Sequence, residues 1–434
     1  MSKIQKYILI SISLVTVLII GGSVVLVLQS FENQNMTIRQ KKVKKQQNKE
    51  KLNLNSSDII KEVNGYSSSY NYDEAIKLLK ENNIRNKNEM IRQLKDEQKH
   101  LIKWNDPKNI SHIFFHSLIV DPEKAFHSQQ GKGYDDYMIT VSEFTKIIDQ
   151  LYKNNYVLVN LNQLIKHEPE GNISFTEVAL PKGKKPLILS QDDVNYYEYM
   201  NNSGFSNKLI LDSNKQIKSL YEEKANKKIG DYDVVPIIES FIKKHPDFSY
   251  KGAKGTLALT GYNGVLGYRT SKSEYGNNSK TKKEIESALK IANQLKKNGW
   301  SFASHTWGHI NMTQASLEDI QKDNELWQSE VATIIGKTDI LIYPFGADIN
   351  DWEPYSKNNT KFDYLENQGF KIFCNVDAST PSWGQLGANF YRNARINIDG
   401  IRLRSDLNGQ NKVLDHFFDV KDVYNQKERI NLKN

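Results

Sequence analysis

Cysteine is almost absent from this chain of 434 residues, in which Cys374 is the only one. A single cysteine excludes an intramolecular disulfide and a metal site built from several thiolates. It also leaves no cysteine near the N-terminus that could carry a lipid. The lack of disulfides does not determine the cellular compartment of the protein, since an extracellular protein with a large core needs no disulfide.

Charge is absent from residues 7–28, which read YILISISLVTVLIIGGSVVLVL. This apolar stretch is long enough to cross a bilayer core as a helix. A cleaved signal peptide has a shorter apolar stretch with a small-x-small site after it, whereas the sequence QSFE follows here. Residues 1–30 are therefore predicted to be an uncleaved, single-pass transmembrane signal anchor. Lysines on both sides of the span leave its orientation open.

Residues 31–105 are predicted to form a basic stalk and a helical hairpin. The lysine-rich residues 31–57 are typical of a solvated spacer, with contact to anionic lipid or wall polymer as the alternative. Apolar positions spaced for amphipathic helices follow over residues 58–104. Nothing in this part of the chain has the pattern of a catalytic site.

Strand and helix patterns alternate over residues 106–434, the predicted main domain. This alternation predicts a parallel α/β barrel or an open α/β sheet, with residues 195–232 as a polar insertion that holds a small hairpin near 208–211. The predicted strands are residues 112–120, 156–159, 187–193, 255–260, 300–304, 339–343 and 372–375. The predicted helices are residues 140–152, 161–165, 234–244, 282–297, 317–335 and 362–368.

Residues that can take part in catalysis or metal binding follow three of these strands. The run LILSQDD ends in the adjacent acids Asp192 and Asp193, WSFAS leads into His305 and His309, and ILIY leads into Pro344. In both folds, ligands bind at the carboxyl ends of the strands. His305 and His309 are about one helical turn apart, so both rings are expected to face one ion. Two imidazoles and one carboxylate leave open positions on a metal, as a catalytic site requires.

Each feature alone also has a simpler interpretation. Two adjacent acids fit a solvated Asp-rich turn, although their charges repel unless a cation or a proton separates them. A histidine in a loop fits an ordinary hydrogen-bonded polar residue. The zinc-protease helix motif is excluded, because it needs Glu directly after the first histidine, where Thr306 stands.

The segments SQDD, SHTWGH and YPFGA, in this order, resemble the first three motifs of the polysaccharide deacetylase family. The upstream block that begins HIFFHSLI is similar to the strand-helix-strand unit that precedes the core in secreted bacterial members. The resemblance covers roughly residues 110–425. It implies a deformed parallel (β/α) barrel that removes acetyl groups, with the help of a metal, from N-acetylglucosamine polymers or acetylated sugars.

The resemblance also implies roles for the motif residues. Asp192 would be the catalytic base, and Asp193, His305 and His309 would hold a divalent metal. Zinc is the first expectation for this metal, with cobalt or another divalent ion as the alternative. The turn of the third motif would line the substrate groove, and a backbone N–H near Phe345 would stabilise the oxyanion. The residues of this turn are Tyr343, Pro344, Phe345 and Gly346.

The chain departs from the family pattern at several positions. Ser190-Gln191 replaces the usual Thr-Phe before the acid pair, Val194 replaces the glycine after it, and the third motif lacks its frequent arginine. The late Leu-His motif has no clear counterpart, which leaves the general acid unidentified. Candidate late-site residues, which also fit ordinary loop and strand chemistry, are Asp377, Trp383 and Arg395. Aromatic residues near the motifs fit either sugar stacking or the core: Tyr196, Tyr197, Trp307, Phe345, Trp352 and Trp383.

The leading hypothesis is a membrane-anchored deacetylase whose catalytic domain is extracellular, because its substrate would be a cell-wall or surface polysaccharide. The resemblance makes peptidoglycan the first candidate polymer, and no nucleic-acid partner is expected. One alternative is a catalytically impaired glycan-binding or wall-scaffolding protein on the same fold. Another is a non-haem iron oxygenase with two histidines and a carboxylate, which the second acid fits less well.

Overall fold

The computed structural model describes residues 56–223 and 226–429. The predicted transmembrane anchor at residues 1–30 and the stalk up to residue 55 lie outside these ranges. Among the helices within them, none is both long enough and apolar enough to cross a membrane.

The described residues divide into two compact units, one of residues 56–64 and 77–87, the other of residues 65–76 and 88–429 without 224–225. Residues 56–99 form three helices, whereas the sequence predicts a hairpin of two helices. The additional helix buries Ile59 and Val63, which are four positions apart and therefore share one helical face. These helices are α1 (Ser56–Ser68), α2 (Tyr72–Glu81) and α3 (Lys87–Lys99).

The second unit is built on a closed parallel β-barrel. The strands of the described residues are β1 (Ile102–Trp104), β2 (Ser111–Phe115), β3 (Tyr156–Val159), β4 (Ile165–His167), β5 (Ile173–Phe175), β6 (Val178–Leu180), β7 (Lys185–Gln191), β8 (Lys208–Leu211), β9 (Ile217–Glu223), β10 (Asn226–Gly230), β11 (Gly255–Leu259), β12 (Trp300–Ser304), β13 (Ile340–Ile342), β14 (Ile372–Val376), β15 (Gly384–Leu386) and β16 (Tyr391–Asn397). Around the barrel the order is β11, β12, β13, β14, β16, β2 and β7, and β7 pairs with β11 to close it. The barrel predicted from the sequence is therefore confirmed, and the open sheet is not formed.

One edge of strand β7 pairs with two different strands. Its first residues pair with β3, whereas Ser190 and Gln191 at its end pair with β11. Its other side pairs with the whole length of β2. The seam between β12 and β13 has a single paired position, Ser304 with Leu341. Because all the barrel strands are parallel, their carboxyl ends meet at one rim, where the residues that follow them lie close together.

Helices follow most of the barrel strands. Thr140 caps the helix Val141–Lys153 in a capping box, in which its hydroxyl accepts from the Glu143 N–H and the Glu143 carboxylate accepts from the Thr140 N–H. A π-helical segment, Gln328–Ala332, joins the helices Leu317–Trp327 and Thr333–Ile335. The helices are α4 (Pro122–His127), α5 (Gly131–Tyr137), α6 (Val141–Lys153), α7 (Val234–Lys244), α8 (Lys272–Tyr275), α9 (Ser279–Asn298), α10 (Leu317–Trp327), α11 (Thr333–Ile335), α12 (Thr360–Asn367), α13 (Gly400–Leu407) and α14 (Val420–Val423).

Two predicted elements differ from the observed ones. The strand predicted at 112–120 ends at Phe115, because its neighbour β7 ends at the matching Gln191 and offers no further partner. The helix predicted at 161–165 is replaced by a single 3-10 turn and by β4, in which Ile165 pairs with Phe175. Its apolar run is too short to bury a helical face, so the backbone pairs in a hairpin instead.

The polar insertion at residues 195–232 contains the predicted hairpin and one strand more. Strands β8, β9 and β10 form a separate antiparallel sheet in the order β10-β9-β8. The insertion begins one residue after the acid pair and ends just before Asp233, the residue that caps α7. Both of its ends therefore lie at the rim of the barrel.

The single thiol of the chain belongs to the barrel core. Cys374 on β14 is fully buried, and this burial raises the pKa of its thiol to about 12. The residue is a small core side chain, as its apolar sequence context indicates.

Arg429 ties the C-terminal segment to helices α5 and α6. Its side chain is fully buried, with Nη1 bound to Asp135 at 2.8 Å and Nε bound to Glu143 at 2.8 Å. It also donates to the carbonyl oxygens of Asp135 and Met138. The arginine thereby fixes the end of α5, a helix that contributes to the rim of the barrel.

Removal of this cation should destabilise the fold strongly. In Arg429→Ala the buried Glu143 carboxylate loses its counter-charge, whereas Asp135 keeps Arg404, so we expect a loss of about 3–5 kcal/mol in the free energy of unfolding. Urea denaturation followed by circular dichroism measures this loss. The control is Lys322→Ala, which breaks an exposed pair with Glu318 and should cost at most ~0.5 kcal/mol. Equal effects of the two substitutions would contradict the prediction.

Candidate functional site

A cavity of about 600 Å³ opens at the carboxyl-terminal rim of the barrel. Residues that follow β2, β7 and β12 line it together with the end of α5, the turn after β13 and part of β16. Polar lining residues include His116, Asp192, Asp193, His305, His309, Arg395, Asn397 and Asp399. Its size and its convergent polar groups are typical of a small-molecule or substrate site.

Asp193, His305 and His309 form a triad at the floor of this cavity. Each residue offers one ligand atom, and these atoms all lie within 4.8 Å of one another. The His309 Nε2 is 3.9 Å from the nearer Asp193 carboxylate oxygen. The structure thus brings together the three residues predicted to hold a metal.

The local geometry of the two histidines differs from the prediction. They lie in a loop, and not on a helical turn, with left-handed φ values of 58° at Thr306 and 53° at His309. The Asp323 carboxylate on α10 holds this loop by accepting from the N–H groups of Trp307 and Gly308. The rings meet at a centroid distance of 5.0 Å because of this tight turn.

Hydrogen bonds orient the triad for a cation. His305 Nδ1–H donates to the Ile342 carbonyl at 2.7 Å, which leaves its Nε2 lone pair to bind a metal. Burial lowers the pKa of His305, although the charges of Asp192 and Asp193 oppose this effect, so the ring is neutral, as a ligand must be. The Tyr197 hydroxyl donates to Asp193 Oδ1 at 2.6 Å. The donor set therefore fits a divalent metal with open positions, such as zinc.

Asp192 is a buried carboxylate paired with Arg395. Both oxygens accept from Arg395 Nη1, at 2.7 and 2.9 Å, and both side chains are almost completely buried. Burial alone would raise the pKa of Asp192, but the charge and the hydrogen bonds of Arg395 lower it to about 2. The guanidinium also stacks over Phe114 at 4.0 Å. Asp192 is consequently an ionised base with a fixed orientation.

Neutral polar residues fill the barrel below this ion pair. His112 Nδ1–H donates to the Asn393 side-chain oxygen, and the Ser190 hydroxyl donates to His112 Nε2. Burial, helped by the charge of Arg395, lowers the pKa of His112 to about 3, so this ring adds no second cation. Ser190, one of the departures from the family pattern, is therefore part of the support of the ion pair.

The turn of the third motif contributes two of its four predicted residues to the cavity. Phe345 and Gly346 line it, with left-handed φ values of 59° and 67°. Tyr343 is fully buried and bonds to the Tyr355 hydroxyl at 2.7 Å, and Pro344 is buried as well. Within the described residues no acceptor lies in hydrogen-bond range of the Phe345 N–H, which is thus available to a ligand.

Only one of the late-site candidates reaches the cavity. Arg395 pairs with Asp192, as described above. The Asp377 carboxylate accepts from the N–H and hydroxyl of Ser379, within its own turn. Trp383 packs edge-on against Trp352 at 5.1 Å and does not line the cavity.

His116 is a cavity residue that the sequence reasoning did not identify. It follows β2, and its Nε2 is 4.0 Å from an Asp193 carboxylate oxygen. Among the described residues that line the cavity, it is the only imidazole besides the two of the triad. The strand-end rule that selected His305 could have found it, since both histidines directly follow a barrel strand.

Asp233 is a second residue without an earlier assignment. Its Oδ1 accepts from the N–H of Leu118 and the side-chain amide of Gln191, and its Oδ2 accepts from the Tyr196 hydroxyl at 2.5 Å. Burial raises its pKa, although these donors oppose the shift. Asp233 thus accepts hydrogen bonds from residues on both sides of the acid pair. Its bond with Gln191 gives this departure from the family pattern a structural role.

Fold and geometry together define a (β/α) barrel with a candidate metal centre at the carboxyl-terminal rim. Residues 276–371 match the model of the polysaccharide deacetylase family. This segment contains His305, His309 and the turn of the third motif, and it does not include Asp192 and Asp193. The match supports a relationship to this family over that part of the chain.

Solved structures include one similar deacetylase, PplD of Streptococcus pyogenes in complex with acetate. The similarity covers 68% of this chain and 94% of that chain at 14% sequence identity, with a TM-score of 0.36. Comparison with curated proteins finds no similar sequence.

Metal binding should depend on the triad and not on Asp192. His305→Ala should reduce zinc affinity by more than the roughly 10–100-fold that loss of an outer partner costs, because a direct ligand is lost. Asp192→Asn should keep one bound zinc per chain, since Asp192 is not a member of the triad. Elemental analysis after dialysis against zinc measures both. The control is His100→Ala, an exposed histidine; full zinc retention in His305→Ala would contradict the assignment.

Proposed function

We propose that the chain is a metal-dependent hydrolase that removes acetyl groups from a cell-wall or surface polysaccharide. The observation that carries this proposal is the ionised, buried Asp192 beside the triad of Asp193, His305 and His309 in one cavity. The family match over residues 276–371 supports the same class of reaction. An N-acetylglucosamine polymer such as peptidoglycan is the proposed substrate, with zinc as the proposed metal.

A bound divalent metal would polarise the acetyl carbonyl and lower the pKa of a water molecule in the site. Asp192 would take a proton from the water that attacks the acetyl carbon, and Arg395 keeps Asp192 ionised before the transfer. The Phe345 N–H would donate to the oxyanion that develops. When the C–N bond breaks, the leaving nitrogen needs a proton, and acetate is released.

His116 is the residue that we propose as the donor of this proton. It lies in the cavity beside Asp193. It would take the role of general acid, for which this chain has no late histidine. Asp377 and His416 do not line the cavity, so they offer no alternative. The general acid would then come from the first strand of the barrel.

We also propose that residues 7–28 anchor the chain in the cell membrane with the barrel outside. The uncharged sequence of this segment and the extracellular place of the proposed substrate support the proposal. These residues lie outside the described part of the structure.

Acetate release is the direct test of the reaction. The chain in detergent should release acetate from N-acetylglucosamine oligomers with added zinc, and chelation should abolish the release until zinc is restored. Asp192→Asn should lower kcat by about 10²–10⁴-fold, the usual contribution of a general base, while zinc stays bound. Zinc-loaded protein that releases no acetate from oligomers or intact wall would refute the proposal and favour a glycan-binding role without turnover.

The role of His116 predicts a dependence on the leaving group. His116→Asn should slow release from N-acetyl substrates by about 10²-fold or more, because the amine must be protonated as it leaves. 4-Nitrophenyl acetate has a leaving group that needs no proton, so its hydrolysis should fall much less. The matched control is His127→Asn, an exposed histidine on α4. An equal loss on both substrates would argue against a proton donor.

A further inference from the structure

The two carboxylate oxygens of Asp193 have different surroundings. Oδ2 faces two imidazoles, at 3.9 Å from His309 Nε2 and 4.0 Å from His116 Nε2. Oδ1 instead accepts a hydrogen bond from the Tyr197 hydroxyl at 2.6 Å. One oxygen is therefore presented to the triad, while the other is held by a neutral side chain of the protein.

Tyr197 is a buried residue of the insertion. Its exposed fraction is only 2%, and it does not line the cavity that contains the triad. Its ring stacks on Tyr262 at a centroid distance of 4.6 Å and an angle of 9°. Because close packing leaves a buried ring little freedom, the position of the Tyr197 hydroxyl is fixed.

The hydrogen bonds of this hydroxyl have a defined direction. The Tyr197 oxygen also lies 2.7 Å from Thr260 Oγ1. An ionised carboxylate only accepts hydrogen bonds, so the one hydrogen of the Tyr197 hydroxyl goes to Asp193. The Thr260 hydroxyl is then the donor of the second bond. The bonds form a chain that runs from Thr260 through Tyr197 to Asp193.

Thr260 fixes the beginning of this chain of bonds to the barrel. It directly follows β11 and is fully buried. Its N–H donates to Asn195 Oδ1 at 3.2 Å, and its carbonyl accepts from Asn195 Nδ2 at 2.9 Å. The buried amide of Asn195 thereby joins the loop after the acid pair to the end of β11. Tyr197 and Asp193 are thus held against the same strand end.

The carboxylate of Asp193 needs such a partner to take one orientation. The last side-chain torsion of an aspartate has a broad distribution, so hydrogen bonds decide which way its oxygens point. Asp192 is oriented by the cation Arg395, whereas Tyr197 is neutral. A neutral donor fixes the orientation of Asp193 and leaves its negative charge to a bound metal. Partners of this kind are typical of the residues around metal ligands.

We propose that Tyr197 is a positioning residue of the metal centre, whose hydroxyl, held by Thr260, keeps Asp193 Oδ2 turned towards His305 and His309. This role rests on the metal centre of the proposed function, and it gives the insertion a part in metal binding. Tyr197 acts through Asp193 and does not itself contact the metal.

The zinc affinity of the full chain in detergent, measured by competition with a chelating dye, tests this role. Tyr197→Phe keeps the ring and removes the hydroxyl, so zinc binding should weaken by about 10–100-fold. Thr260→Val should weaken it less, because Tyr197 keeps its bond to Asp193. The matched control is Tyr156→Phe, which removes a buried hydroxyl that donates to the His416 carbonyl at 2.8 Å. It should leave the zinc affinity unchanged.

Cobalt in place of zinc gives a second measurement, since the visible absorption of bound cobalt reports the arrangement of its ligands. Tyr197→Phe should change this spectrum, and Tyr156→Phe should not. A purely structural role of Tyr197 would lower the thermal stability of both variants and alter the spectrum of neither. The spectrum therefore separates the orientation of Asp193 from a general loss of stability.

An unchanged zinc affinity and cobalt spectrum in folded Tyr197→Phe would overturn the positioning role. Equal weakening of zinc binding in Tyr156→Phe would also overturn it. If Tyr197→Phe does not fold, Thr260→Val decides: weaker zinc binding supports the role, and an unchanged affinity overturns it. Zinc-loaded chain that releases no acetate would instead refute the proposed reaction, and the result for Tyr197 would be independent of it.

Discussion

The ion pair of Asp192 and Arg395 is the constraint around which the barrel is arranged. A single buried carboxylate would take up a proton, and a single buried guanidinium would be strongly destabilising. Their pairing needs β7 and β16 on either side of β2, and the strand order provides this arrangement. The residues beneath the pair are neutral, since burial removes the charge from His112. The fold thus maintains one fixed negative charge beside the triad.

Much of the site follows from the sequence because parallel strands end at a common rim. That rule alone predicts that Asp193, His305 and His309 come together, although they are far apart in the chain. It does not predict how the two histidines converge. The tight loop depends on Asp323, a carboxylate from the next helix, and no spacing within SHTWGH reveals that contact.

Other features depend on contacts that one sequence does not encode locally. Arg395 fits an ordinary strand residue until the order of the strands is known, because its partner lies some two hundred positions earlier. Asp233 looks like a helix cap, and it is one, but its four donors also include Gln191 and Tyr196 on either side of the acid pair. His116 was within reach of the strand-end rule, because it directly follows β2 at the rim of the cavity.

The burial of Cys374 has a practical consequence for work on this chain. Its thiol is shielded inside the barrel, and burial raises the thiol pKa, so we expect it to react slowly with maleimides. Any cysteine introduced at the surface would then be the only reactive thiol of the protein. Single fluorophores or spin labels can be attached without first removing a native residue. Labels placed before and after residues 7–28 would report which side of a membrane each end occupies.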